Sequence, residues 1–132
     1  MPYDMEDGVS GILMIENKQS TIGYAKNEGA ERQRFTIAHE LGHYMLHRHG
    51  DLFIDKEFKT MYRPSSSTPS TEWEEREANE FAACILMPEH LVKMEMKEIQ
   101  VDYDDSNWIN QLAKKFKVSQ SAMSIRITRL GL

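Results

Sequence analysis

With 132 residues and a formal net charge of −5, the chain is sized for one domain and poorly matched to a protein devoted to nucleic acid. Its single cysteine excludes an internal disulfide and points to a reducing cytoplasm, while no stretch is apolar for long enough to cross a bilayer. The opening Met1-Pro2-Tyr3-Asp4-Met5-Glu6-Asp7 is acidic and lacks the basic and apolar regions of a secretory signal.

Val9 to Ile15 and Thr21 to Ala25 read as two short strands joined by the polar turn Glu16 to Ser20. They form an antiparallel edge for the next element, a helix holding Arg34 to His47. That helix carries the spacing H-E-x-x-H at His39, Glu40 and His43. Residues four apart on a helix share a face, so the two imidazoles can converge on one ion. Zinc suits them: it accepts imidazole nitrogen at roughly 2.0–2.1 Å and, in catalytic sites, takes three protein ligands and leaves a position for water. Glu40 lies about 100° round the helix from His39, a placement that suits a base acting on that water better than a ligand. Ile37, Leu41 and either Met45 or Leu46 are expected to face the core, and Gly42 to admit a close neighbour. His47, one turn past His43, reads as a helix-end histidine favoured by the dipole. The bare pattern also occurs in amphipathic helices with ordinary surface histidines, so the decisive question is whether a second helix supplies another ligand.

Between Gly50 and Ser70 the periodicity dissolves. Asp51 to Asp55 and Thr60 to Arg63 are possible short strands, and Pro64 to Ser70 is a surface loop that either overhangs the cleft or simply connects. Tyr62 and Arg63 are candidates for stabilising an oxyanion, with His90 a further one. A second helix starts near Thr71, where Thr71 and Glu74 form a capping box, and Pro88 ends it. Ala78, Phe81, Ala82, Ile85 and Leu86 make its apolar stripe. Cys84, among them, is expected to be a core thiol. Glu75 and Asn79 lie at the stripe's border, placed for a carboxylate to reach the metal and an amide to meet the free N–H of a ligating histidine.

The segments Arg34 to His47 and Glu75-Arg-Glu-Ala-Asn-Glu-Phe-Ala-Ala-Cys-Ile-Leu-Met-Pro88 resemble the ImmA/IrrE family of zinc metallopeptidases, of gluzincin type. The resemblance runs from about Val9 to the C-terminus. It implies that His39, His43 and Glu75 bind zinc and that Glu40 is the general base. Glu77 is the rival third ligand; Glu75 is preferred because its spacing to Asn79 is similar to the ligand-and-orienter pair of thermolysin-like enzymes. The resemblance further implies a protein substrate, a cytoplasmic repressor of the DNA-binding Xre type carried on a mobile element or prophage. Gluzincins commonly run a strand along the cleft to pair with substrate, a use open to the N-terminal hairpin beside the plainer one of completing the core. The chain departs from the family pattern where the helix usual before the first strand is absent or short.

Glu89 to Gln100 reads as a third helix. Asn107 to Leu132 reads as two more, broken at Lys117-Val118-Ser119 with Ser119 as a cap. This tail has the rhythm of a helix-turn-helix and carries Lys114, Lys115, Lys117, Arg126 and Arg129 with no acidic residue, while Gln120, Ser121 and Ser124 lie where a recognition helix would meet bases. The family carries such a segment whether or not DNA is bound. The expected fold is therefore α+β: one domain over 1–132, with a small antiparallel sheet on the metal-binding helix and the second ligand-bearing helix. Within it, 9–100 form the zinc-site core and 106–132 the helix-turn-helix-like segment. The expected function is a cytoplasmic zinc endopeptidase with no membrane partner; the alternatives are a zinc-binding regulator that does not cut and a DNA-binding regulator.

Overall fold

Alternating inward residues build the sheet. In the computed structural model, which describes residues 1–5, 9–16, 19–47, 52–56, 72–99, 101–102, 104–105 and 107–132, Gly11 and Leu13 are buried on one face of a strand, and Val9 and Ser10 are both buried ahead of them, where the strand register shifts. The sheet has four strands: β1 (Pro2–Tyr3), β2 (Val9–Glu16), β3 (Gln19–Ala25) and β4 (Leu52–Lys56), in the order β1-β3-β2-β4. β2 pairs antiparallel with both β3 and β4, whereas β1 runs parallel to β3, so the expected antiparallel sheet gains one parallel pairing. Glu16 pairs with Gln19 and Ile15 with Ser20, which makes the connection shorter than the expected turn. The hairpin is also interior rather than an edge, because β4 covers the far side of β2. Of the two pieces expected after Gly50, the first is β4; Thr60 to Arg63 and the loop to Ser70 lie outside the described residues.

These residues fall into two units, Met1–Ala82 and Ala83–Leu132. In the first, β3 leads into helix α1 (Ala30–Leu46) through a short turn that Gln33 fastens by donating from Nε2 to the carbonyls of Ala25 and Lys26. The side of α1 that turns inward lies nearly opposite the expected line of Ile37, Leu41 and Met45. Thr36, Ala38, His39, Glu40, Gly42 and His43 are buried, while Ile37, Met45 and Leu46 are exposed. The inward positions are where the sheet and the next helix come closest. A Cβ on Gly11 of β2 would lie 2.7 Å from Thr36 Cγ2 and 2.8 Å from Glu40 Oε1, so that strand can pass beneath α1 only without a side chain there.

Helix α2 (Glu72–Leu86) crosses α1 at a contact between small residues. A Cβ on Gly42 would stand 3.2 Å from Ala78 Cα and 3.1 Å from Phe81 Cδ1, tight against backbone that cannot swing aside. Ala78 and Ala82 are fully buried as expected, but Ile85 and Cys84 are exposed, so the expected core thiol is a surface one. Cys84 is turned about 120° round α2 from Ala78, whereas Ile85, seven residues past Ala78, keeps nearly its side of the helix and is exposed all the same.

The second unit holds α3 (Glu89–Glu98), α4 (Asn107–Phe116) and α5 (Gln120–Leu130) around Met87, Val92, Leu112 and Met123. Burying each such side chain contributes about 1.5–3 kcal/mol. The expected break appears where Lys117 adopts φ 55, and Ser119 caps α5 by accepting from the Ala122 amide at 3.0 Å. Arg126 is not available to a ligand: it is buried and donates from Nε to the Met87 carbonyl at 3.0 Å. Lys115 is paired with Glu95 at 2.6 Å, a hydrogen bond and charge that raise its amine above the usual lysine value. Gln120, Ser121 and Ser124 are exposed. No helix among the described residues is long and apolar enough to cross a membrane.

Two substitutions test this packing. Gly42→Val should cost about 1–3 kcal/mol by overpacking the α1–α2 crossing, read as a lower urea midpoint. Arg126→Met should cost about 1–3 kcal/mol by leaving the buried Met87 carbonyl short of a donor, read in the same melt.

Candidate metal centre

The helical repeat and the α1–α2 crossing together decide which polar groups meet. His39 and His43 lie one above the other on the buried face of α1, with Nε2 atoms 3.1 Å apart. Glu75, in the first turn of α2, brings Oε2 to 3.0 Å from His39 Nε2 and 3.4 Å from His43 Nε2. Two imidazole nitrogens and a carboxylate oxygen therefore converge, all within 4.8 Å of one another, as a group able to hold a metal ion. Donors arranged tetrahedrally around an ion at roughly 2.0–2.1 Å stand about 3.3 Å from each other. The observed separations of 3.0, 3.1 and 3.4 Å bracket that value. Two nitrogens this close cannot both present lone pairs to one another without repulsion, so a cation between them suits the donor set.

Glu77 does not join this group. Its Oε1 lies 3.2 Å from His47 Nε2, and His47 Nδ1 lies 3.1 Å from His43 Nδ1. The two acids diverge because they flank the buried Ala78 on opposite sides: Glu75 is about 60° to one side and Glu77 about 100° to the other. Asn79, expected to meet a ligating histidine, stands on the Glu75 side about 100° from Ala78, one turn beyond Glu75, and is exposed. Among the described residues the side chain that meets the back of His43 is His47, which sequence reasoning set aside as a helix-end group. Its signal was present in the continuation of the four-residue spacing from His39 through His43 to His47.

Glu40 is fully buried, and its carboxylate lies over the gap left by Gly11. Tyr62 and Arg63 lie outside the described residues, and His90 is exposed on α3 in the second unit.

A family model described as the IrrE N-terminal-like domain, Peptidase_M78, matches residues 4–128. The chain belongs to that family. The IrrE-like match takes in α1, α2, α3 and α4 and most of α5, so it covers His39, His43 and Glu75 and most of the helix-turn-helix-like segment. No curated protein matches the chain.

If Glu75 is the third donor, Glu75→Ala should lose metal to a chelator far more readily than Glu77→Ala, as read by elemental analysis after dialysis. Equal retention by the two variants would count against the assignment.

Proposed function

We propose that the chain is a zinc-dependent endopeptidase that makes a specific cut in a cytoplasmic regulatory protein, a DNA-binding repressor of the Xre type. The observation that carries the catalytic part is the convergence of His39, His43 and Glu75 in a chain from a peptidase family. Two imidazoles and one carboxylate are the ligand set of catalytic zinc in this protease class, and three protein ligands leave a coordination position for water or substrate. The substrate class rests on the resemblance of the motifs to ImmA/IrrE peptidases.

When bound, zinc supplies Lewis acidity that makes water acidic near neutral pH and polarises a peptide carbonyl. His39, His43 and Glu75 hold the ion. Glu40 takes the proton of the attacking water on a carboxylate oxygen and passes it to the departing amine nitrogen, so that one side chain serves as base and then acid. Its full burial beside the Gly11 gap limits its rotamers, which keeps the carboxylate from turning to solvent. The amide bond breaks, and the products are a carboxylate and a free amine.

Burial of Arg126 and pairing of Lys115 reduce the cationic groups that a DNA-binding tail would offer, which favours the peptidase over the DNA-binding alternative. Glu40→Gln removes the proton carrier and keeps the shape of the side chain. The variant should retain zinc and lose cleavage of an Xre-type repressor, measured by gel and mass spectrometry. Continued cutting by Glu40→Gln would contradict the role of Glu40. A wild-type protein that binds zinc and the repressor but leaves it intact would favour a regulator that does not cut.

A further inference from the structure

The side chains behind the metal cluster form a continuous line. Glu77 Oε1, His47 Nε2, His47 Nδ1, His43 Nδ1 and His43 Nε2 follow one another, with gaps of 3.2 Å from Glu77 to His47 and 3.1 Å from His47 to His43. His43 is fully buried and His47 nearly so, while Glu77 is partly exposed. This order has a direction. A carboxylate accepts but does not donate, so His47 must donate from Nε2 to Glu77. Neutral imidazole carries one N–H, which leaves His47 Nδ1 as an acceptor. His43 then donates from Nδ1, and its lone pair stays on Nε2, the atom that faces His39 and Glu75.

We propose that His47 and Glu77 are positioning residues that fix His43 in the tautomer able to ligate through Nε2. The proposal rests on the metal reading of His39, His43 and Glu75, and it gives Glu77 a role other than that of rival ligand. The helix end makes the arrangement possible. His47 leaves helical geometry at φ −134 and ψ 106, yet its amide still donates to the His43 carbonyl at 2.7 Å. The backbone is thereby held to the last turn while the imidazole lies against the ring of its neighbour, with ring centroids 5.3 Å apart. Glu77 comes from α2, so the helix that supplies the ligand Glu75 also orients a histidine on α1. A single crossing sets both.

The test compares wild type with His47→Ala, His47→Asn and Glu77→Ala. Zinc affinity is measured by chelator competition, and imidazole nitrogen NMR of the metal-free proteins reads which ring nitrogen of His43 carries the proton. Removing an orienting partner typically weakens metal binding by about 10–100-fold. His47→Ala should fall in that range and Glu77→Ala near its lower end, about tenfold. His47→Asn places an amide oxygen near the former Nδ1, and should recover most of the lost affinity. In both alanine variants the His43 proton should shift from Nδ1 towards Nε2, a change that a purely structural role would not produce. Glu77 is partly exposed, so its variant reports even if the His47 variants fold poorly. Unchanged affinity and an unchanged His43 tautomer in Glu77→Ala would overturn the proposal while leaving the metal site standing. A wild-type chain that bound no zinc would overturn both.

Discussion

The fold depends on a close crossing of two helices, made possible by Gly42 on α1 and Ala78 on α2. At this distance a carboxylate one turn along α2 reaches two imidazoles stacked on α1, and no flexible loop has to hold the donors. The crossing fixes donor separations that one ion can satisfy together. It also explains why polar groups fill the buried face of α1: Thr36, His39, Glu40 and His43 sit inside, and Ile37, Met45 and Leu46 are left outside. An arrangement of this sort costs core apolar area, and the glycines at positions 11 and 42 permit it by letting a strand and a helix come unusually near.

Much of this was legible because the carriers are periodic. The strand alternation, the H-E-x-x-H spacing, the bounds of the C-terminal helices and the Ser119 cap all follow from local chemistry, and the structure contains them. Hydrophobicity points to the wrong face of α1, because the face that packs inward carries Thr36, His39, Glu40 and His43. Cys84 and Ile85 belong to an apolar sequence run, but Cys84 is turned off the line through Ala78 and Ala82, and Ile85 is exposed on that line's continuation near the end of α2. Sequence has no direct way to say how wide a packed stripe is or how far along the helix it runs.

The partner of His43 escaped for a different reason. Asn79 is expected beside a ligating histidine because it follows Glu75 by four residues, a relation within one helix. The group that meets the back of His43 comes from the end of α1 itself, with a carboxylate from the far flank of α2 behind it. Such a line depends on how two helices are rotated against each other, and that rotation is written in no single segment. The small Gly42–Ala78 contact sets it, and with it the separate positions of Glu75 and Glu77.

The proposed centre holds one divalent ion between two imidazoles and one carboxylate. Zinc K-edge X-ray absorption on protein purified without added metal addresses it most directly. The proposed ligands should give nitrogen and oxygen neighbours at about 2.0–2.1 Å, with the outer-shell scattering of two imidazole rings. A sulfur neighbour at about 2.3 Å, which would draw in the exposed Cys84, or a spectrum with fewer than two imidazoles would contradict it.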